Sequence, residues 1–207
     1  MATLDEILEI IDQLNAQDPR MIAPQGTAAV PADLLRGFRM SLACQDFAPM
    51  ADDLVKIAAR GQQLESWLFV EREEDPAAQQ DPILLADNQR RHSADKLCKI
   101  LAANGYDEKD CATVRHLLEG RANSRDGRAQ LLEDLNGLVF IRFHASELRD
   151  KCSEETFVSL LQEILSGMSD EALYHVIDQI DDQLLIEAIQ SIRSDMSLEK
   201  KSVVYLD

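Results

Sequence analysis

The chain has 207 residues, 45% hydrophobic and 29% charged, which is long enough to bury a real core and too apolar for a disordered acidic chain. Twenty-one Lys and Arg stand against 38 Asp and Glu, a net charge of −17, so nucleic acid and anionic membrane surfaces are excluded as partner classes by self-repulsion. Cys44, Cys98, Cys111 and Cys152 form no C-x-x-C step and are expected as reduced thiols. The opening MATLDEILEIIDQ has acids where a secretory leader needs bases, and no run approaches the roughly 18 apolar residues of a membrane span, so a cytoplasmic location is expected.

Glycine (8) and proline (6) are sparse, and apolar residues recur at three-and-four spacing almost throughout. That pattern predicts an all-α protein, a compact multi-helix single domain over residues 1–180 followed by a C-terminal helix and tail over 181–207. Thr3 and Glu6 form a capping box before the stripe Leu4, Ile7, Leu8, Ile11 and Leu14, which Asp18-Pro19 stops. A loop then runs to about Val30. Pro31 begins a second helix with Leu34, Leu35, Phe38 and Leu42 on one face, and Pro49 separates it from a third that carries Leu54, Val55, Ile57, Ala58, Leu64 and Trp67. The polar stretch 71–89 predicts a surface loop.

Asp87 or Asn88 is the expected cap of the next helix, which passes through His92, Leu97, Ile100 and Leu101 to an Asn104-Gly105 stop. Asp107 opens another, ending near Gly120. The segment RANSRDG breaks the pattern before a long apolar helix from Leu131 to Leu148. Ser153 and Ser169 cap helices over about 154–166 and 170–180, a last helix covers about 182–193, and the closing SLEKKSVVYLD has little pattern.

No phosphate loop, dinucleotide-binding glycine motif, nucleophile elbow or H-E-x-x-H is present. Each of the four histidines has an acid three positions on: His92 with Asp95, His116 with Glu119, His144 with Glu147, His175 with Asp178. On a helix this spacing puts both groups on one face, where solvated ion pairs are the expectation for His116, His144 and His175.

The stretch RRHSADKLCKILAANGYDEKDCATVRHLLEG (90–120), followed by DGRAQLLEDLNGLVFI (126–141), resembles the domain-of-unknown-function family 4202. Upstream, ILEIIDQLNAQDPRMI, VPADLLRGFRM and AARGQQLESW fall in the family's order and spacing, so the resemblance covers roughly residues 5 to 180. Members of that family are sometimes labelled glutamyl-tRNA synthetase-like, a label this short, acidic chain does not support. The same region looks like the second half of an HD-type metal phosphohydrolase, in which His and Asp side chains from separate helices meet at a divalent metal that activates water against a phosphate ester.

Carried over by position, that resemblance puts His92 and Asp134 at the metal, expected to approach each other across packed helices, with Glu133 beside Asp134 as a further catalytic candidate. Gln63 stands where the pattern has a histidine, and a carboxamide binds transition metals far more weakly. Glu65 replaces the lost ligand only if its helix turns the right way. Two further departures are Glu119-Gly120 for a Lys-Glu step and Gly127-Arg128 for a Pro-Glu step. Arg60, Arg90 and Arg91 are the cations available to hold phosphate. Three readings follow: a non-catalytic or degenerate HD-like binding or regulatory domain, a metal-dependent phosphohydrolase, and an acidic protein–protein interaction module. The first leads, because ligand loss is visible while no substrate-recognition feature is. No cofactor is expected, a divalent metal is allowed for, and the partner is an unidentified protein or small molecule.

Overall fold

Thr3 accepts from the Glu6 amide while the Glu6 carboxylate accepts from the Thr3 amide at 2.8 Å, and this reciprocal cap starts helix α1, Leu4–Asn15. In this computed structural model, which describes residues 1–24, 26–69, 82–120 and 126–204, the other elements among the described residues are helices as well. The small exception is an antiparallel pair, β1 (Met21–Ile22) with β2 (Val30–Pro31), inside the expected loop.

Helix α2 is Ala32–Phe47, and α3, Asp53–Gly61, is capped by Asp52, whose carboxylate accepts from the Leu54 and Val55 amides. Helix α4, Pro82–Ala103, starts about a turn and a half before the expected caps. Pro82 at the first position lacks only an N–H that would have had no intrahelical acceptor, and Asp87 instead pairs with Arg90 within the helix. The expected 71–89 loop is thus helical from residue 82, and 71–81 fall outside the described residues. Gly105, at φ +86°, ends the α4 turn as expected.

Asp107 and Asp110 cap α5, Glu108–Glu119. Asp126, accepting from the Arg128 and Ala129 amides, starts α6, Gly127–Phe143. The single long helix expected to Leu148 breaks at His144 (φ −129°, ψ −28°), and a short α7, Ala145–Arg149, follows. Ser153 and Ser169 cap α8 (Glu154–Gly167) and α9 (Asp170–Ile177). The last helix, α10, is Gln183–Val204 and so continues through much of the tail expected to lack pattern.

Two compact units result, Met1–Leu132 and Glu133–Asp207. The first has its core around Ile7, Ile11, Ile57, Leu64, Leu97 and Leu101, the second around Leu135, Ile141, Leu161, Leu165, Leu185 and Ile189, all essentially without exposure. Each such side chain contributes roughly 1.5–3 kcal/mol of burial. Among the described residues no helix is long and apolar enough to cross a membrane.

Helix α2 departs from its apolar stripe. Phe38 is 51% and Leu42 40% exposed, while Asp33, Gly37, Met40 and Cys44 are buried. Gly37 explains the rotation, because a Cβ there would stand 3.1 Å from both the Arg60 carbonyl and its Cδ. The small face of α2 packs against α3, and the bulky one is left outside.

Candidate functional site

Beyond Gly61 the chain does not continue as helix but coils through successive tight turns, with the Leu64 amide bonding the Gly61 carbonyl at 3.2 Å and the Phe69 amide the Ser66 carbonyl at 3.0 Å. Glu65 sits in the middle at φ +57°, in the left-handed region, the only non-glycine residue with positive φ among those described. The reversal splits three consecutive side chains. Leu64 enters the core, Ser66 is buried against α2, and Glu65 meets α4.

Helix α4 answers with one face. Gln89, His92, Ser93 and Lys96 follow helical spacing, and each contacts the turn. The Gln89 amide donates to the Gln62 carbonyl and to Gln63 Oε1, both at 3.2 Å, and Ser93 Oγ donates to the Leu64 carbonyl at 3.3 Å. His92 Nε2 lies 2.6 Å from Glu65 Oε2, and Lys96 Nζ donates to Glu65 Oε1 at 2.9 Å. The Phe69 ring meets His92 edge-on, with centroids 5.4 Å apart. Burial pushes the Glu65 carboxyl up, but the hydrogen bonds and charges of Lys96 and His92 outweigh it and hold the group below the usual range. The side chains of His92 and Lys96 are 28% and 37% exposed, so the cluster is open to solvent on one side.

Behind the turn lies a second, buried set. Arg20 grips Asp18 in a two-point fork, Nε to Oδ1 at 2.9 Å and Nη2 to Oδ2 at 2.7 Å, and the same Nη2 reaches Asp33 Oδ1 at 2.9 Å and Ser66 Oγ at 2.7 Å. The Ser66 amide donates to Asp33 Oδ2 at 3.0 Å and its hydroxyl to Asp33 Oδ1 at 2.7 Å, while the Asp33 amide donates to Asp18. Burial is the largest influence on both carboxyls. It prevails at Asp33, raising its pKa, and is overcome at Asp18 by the Arg20 side chain and by the Arg20 and Asp33 amides. Asn15 is also buried, its amide atoms without a hydrogen-bond partner.

The residues expected to form the site have distinct fates. Gln63 is held by Gln89, and His92 pairs with Glu65 rather than with Asp95, which binds Arg115 at 2.6 Å. The acid at three positions is not the partner of His116 either, which pairs with Asp126 at 2.7 Å. Asp134 belongs to the second unit, where its carboxylate accepts from the Ser169 amide and hydroxyl, each at 2.7 Å, and so anchors the start of α9. Its neighbour Glu133 is exposed. Arg60 is 5% exposed, forks onto Asp12 at 2.7 and 2.6 Å and lies 3.9 Å over the Phe38 ring. Arg90 pairs with Asp87, and Arg91 is exposed.

Glu65 is legible only as a conditional substitute ligand, Asp18 only as part of a helix stop, and Asp33, an acid after Pro31, reads as an ordinary first-turn residue, while Arg20, Ser66 and Lys96 carry no signal. Among the described residues no three His, Cys, Asp or Glu side chains converge as a metal-holding group. A family model described as "Domain of unknown function (DUF4202)" matches residues 5–183. No curated protein and no solved structure matches the chain.

Proposed function

Because the chain belongs to that family, whose description assigns no chemistry, we propose that it is a non-catalytic binding or regulatory protein, degenerate and HD-like by resemblance, in which the geometry makes the Glu65–His92–Lys96 cluster a structural clasp. The carrying observation is that the Lys96 ammonium and the His92 ring occupy both oxygens of Glu65. A carboxylate and an imidazole side by side are two of the donors a divalent metal would want. Here a fixed cation already neutralises the carboxylate, and it would repel a second one. Gln63, at the position of the lost imidazole, contributes a carboxamide already bonded to Gln89. Asp134 is engaged in starting a helix.

The test is metal content and turnover. Protein purified without added metal is expected to carry well under one equivalent of Mn, Fe, Co, Ni or Zn and to leave generic phosphate esters intact. Gln63→His combined with Lys96→Ala restores an imidazole and removes the competing cation, and is expected to raise transition-metal affinity at least tenfold. Near-stoichiometric metal in the unmodified protein, lost on His92→Ala, would overturn the reading in favour of the metal-dependent phosphohydrolase.

A further inference from the structure

Helices α4 and α5 form an antiparallel hairpin, and its seam holds two cysteines facing each other. Cys98 Sγ lies 3.3 Å from the Cys111 carbonyl oxygen, and Cys111 Sγ lies 3.6 Å from the Cys98 carbonyl oxygen. Each sulfur therefore rests against the backbone of the other residue, which places the two side chains in one seam. The seam is pinned on both sides of the pair. Toward the connection, the four residues between Ala103 and Glu108 join the helices directly, the Tyr106 amide closing the end of α4 on the Leu101 carbonyl at 3.1 Å. Beyond it, Arg115 joins Asp95 of α4 to Glu119 of α5, both at 2.6 Å. Both cysteines are partly exposed.

We propose that Cys98 and Cys111 are a redox pair, closing to an intramolecular disulfide when the protein meets a small-molecule disulfide of the glutathione type. The thiolate of one cysteine attacks a sulfur of the oxidant, forming a mixed disulfide and expelling one small thiolate. The second cysteine, as thiolate, then attacks the protein sulfur of that mixed bond and expels the other small thiolate. Two protein thiols become one disulfide, the oxidant becomes two thiols, and two electrons and two protons pass from protein to oxidant. Burial raises the Cys98 thiol, with Arg115 pulling the other way and the neighbouring Cys111 thiol adding to the rise, so its thiolate is scarce at neutral pH and its attack quickens as pH rises.

The bond has a place to act. Cys98 follows Lys96 by two residues on the helix that carries the whole clasp face, so oxidation would tie α5 to that helix covalently and stiffen the platform under Glu65 and His92. The other two cysteines are built-in controls: Cys44 is 3% exposed, and Cys152 is partly exposed in the second unit.

The experiment uses the full chain, reduced, desalted and equilibrated with oxidised glutathione at pH 8, followed by tryptic mapping without reductant. The expected product joins Leu97–Lys99 to Asp110–Arg115, two hydrogens lighter than the separate peptides, while Cys152 carries a glutathione adduct. The oxidised protein should melt about 5 °C or more above the reduced one. In Cys98→Ser the gain should vanish and Cys111 should hold a stable glutathione adduct. Adducts on Cys98 and Cys111 of the unmodified protein with no joined peptide, or a cross-link to Cys44 or Cys152 instead, would overturn the proposal. The unmodified chain alone decides the matter if the serine variant does not fold.

Discussion

The first unit buries Asn15, Asp18, Asp33, Arg60, Ser66 and Ser93, whereas the second buries one polar residue among those described, Asp134. Both units have apolar cores, so the difference lies in what each does with charge. Burying a charge is costly unless it is paired and hydrogen-bonded, and the first unit meets that condition with forked guanidinium–carboxylate contacts at Arg20 and Arg60. The second uses its single buried carboxylate to start a helix. A network of that kind orients a turn more sharply than apolar packing can, and the turn it orients is the one that presents Glu65 to α4.

The largest expected effect tests that contrast directly. Arg20→Ala would leave the fully buried carboxylates of Asp18 and Asp33 facing each other, with backbone and Ser66 donors and the 3.6 Å contact of Arg36 to Asp33 as their remaining partners. A loss of about 3 kcal/mol or more is expected from chemical denaturation at pH 7. The loss should shrink near pH 4, where one of the two acids can take a proton. Asp134→Ala in the second unit removes the acceptor of the Ser169 amide and should cost only about 1–2 kcal/mol. Equal losses from the two variants would erase the distinction between the units.

Much of the fold was open to the sequence, because periodicity and caps are local. Thr3, Asp107, Ser153 and Ser169 each start a helix where their side chains predict it. The inward face of α2 was hidden. Leu34, Leu35, Phe38 and Leu42 make the more apolar stripe, yet the helix turns Gly37 and Asp33 inward, since close approach to Arg60 and the Asp33–Ser66 bonds decide its rotation. The site was hidden for the same reason. Asp18, Asp33 and Ser66 are spaced 15 and 33 residues apart, and no local pattern couples them. Glu65 reaches His92 through a left-handed residue in a run whose apolar spacing reads as continuous helix.

A smaller effect probes charge pairing at the surface of the second unit. Asp182 accepts from Arg149 at 3.0 Å, from Ser146 at 2.8 Å and from the Leu185 amide at 3.1 Å. Led by the Arg149 contact and opposed by burial, these bring its pKa down from 3.8 to about 2. A carboxyl depressed on folding adds stability above its unfolded pKa and loses it as pH falls through the folded one. Asp182→Asn should therefore cost about 1 kcal/mol at pH 7, reduced for its partial exposure. The deficit should fade between pH 4 and pH 2 as the native carboxyl protonates. Denaturant midpoints of both proteins across that range check the sign, and a deficit unchanged at pH 3 would put the loss in the shape of the cap rather than in charge.

The smallest effect separates strain from charge at Glu65. A residue with a Cβ at φ +57° gives up roughly 1 kcal/mol that glycine would not. Against this, Glu65 gains a partly exposed ion pair with Lys96 at 2.9 Å and a hydrogen-bonding contact with His92 at 2.6 Å, worth about 0.2–1 kcal/mol each. Glu65→Gly relieves the strain and loses the pairs, and glycine also has more backbone freedom to lose on folding, so the net change is expected to stay within about 0.5–1 kcal/mol. Glu65→Ala keeps the strain and loses the pairs as well, and should be the less stable of the two by about 1 kcal/mol. The two variants share the loss of charge, so their difference reads the backbone alone. If alanine matches glycine, the left-handed turn is not held against resistance. The buried network behind it would then be positioning a conformation the chain adopts freely, and the contrast between the units would reduce to their buried charges.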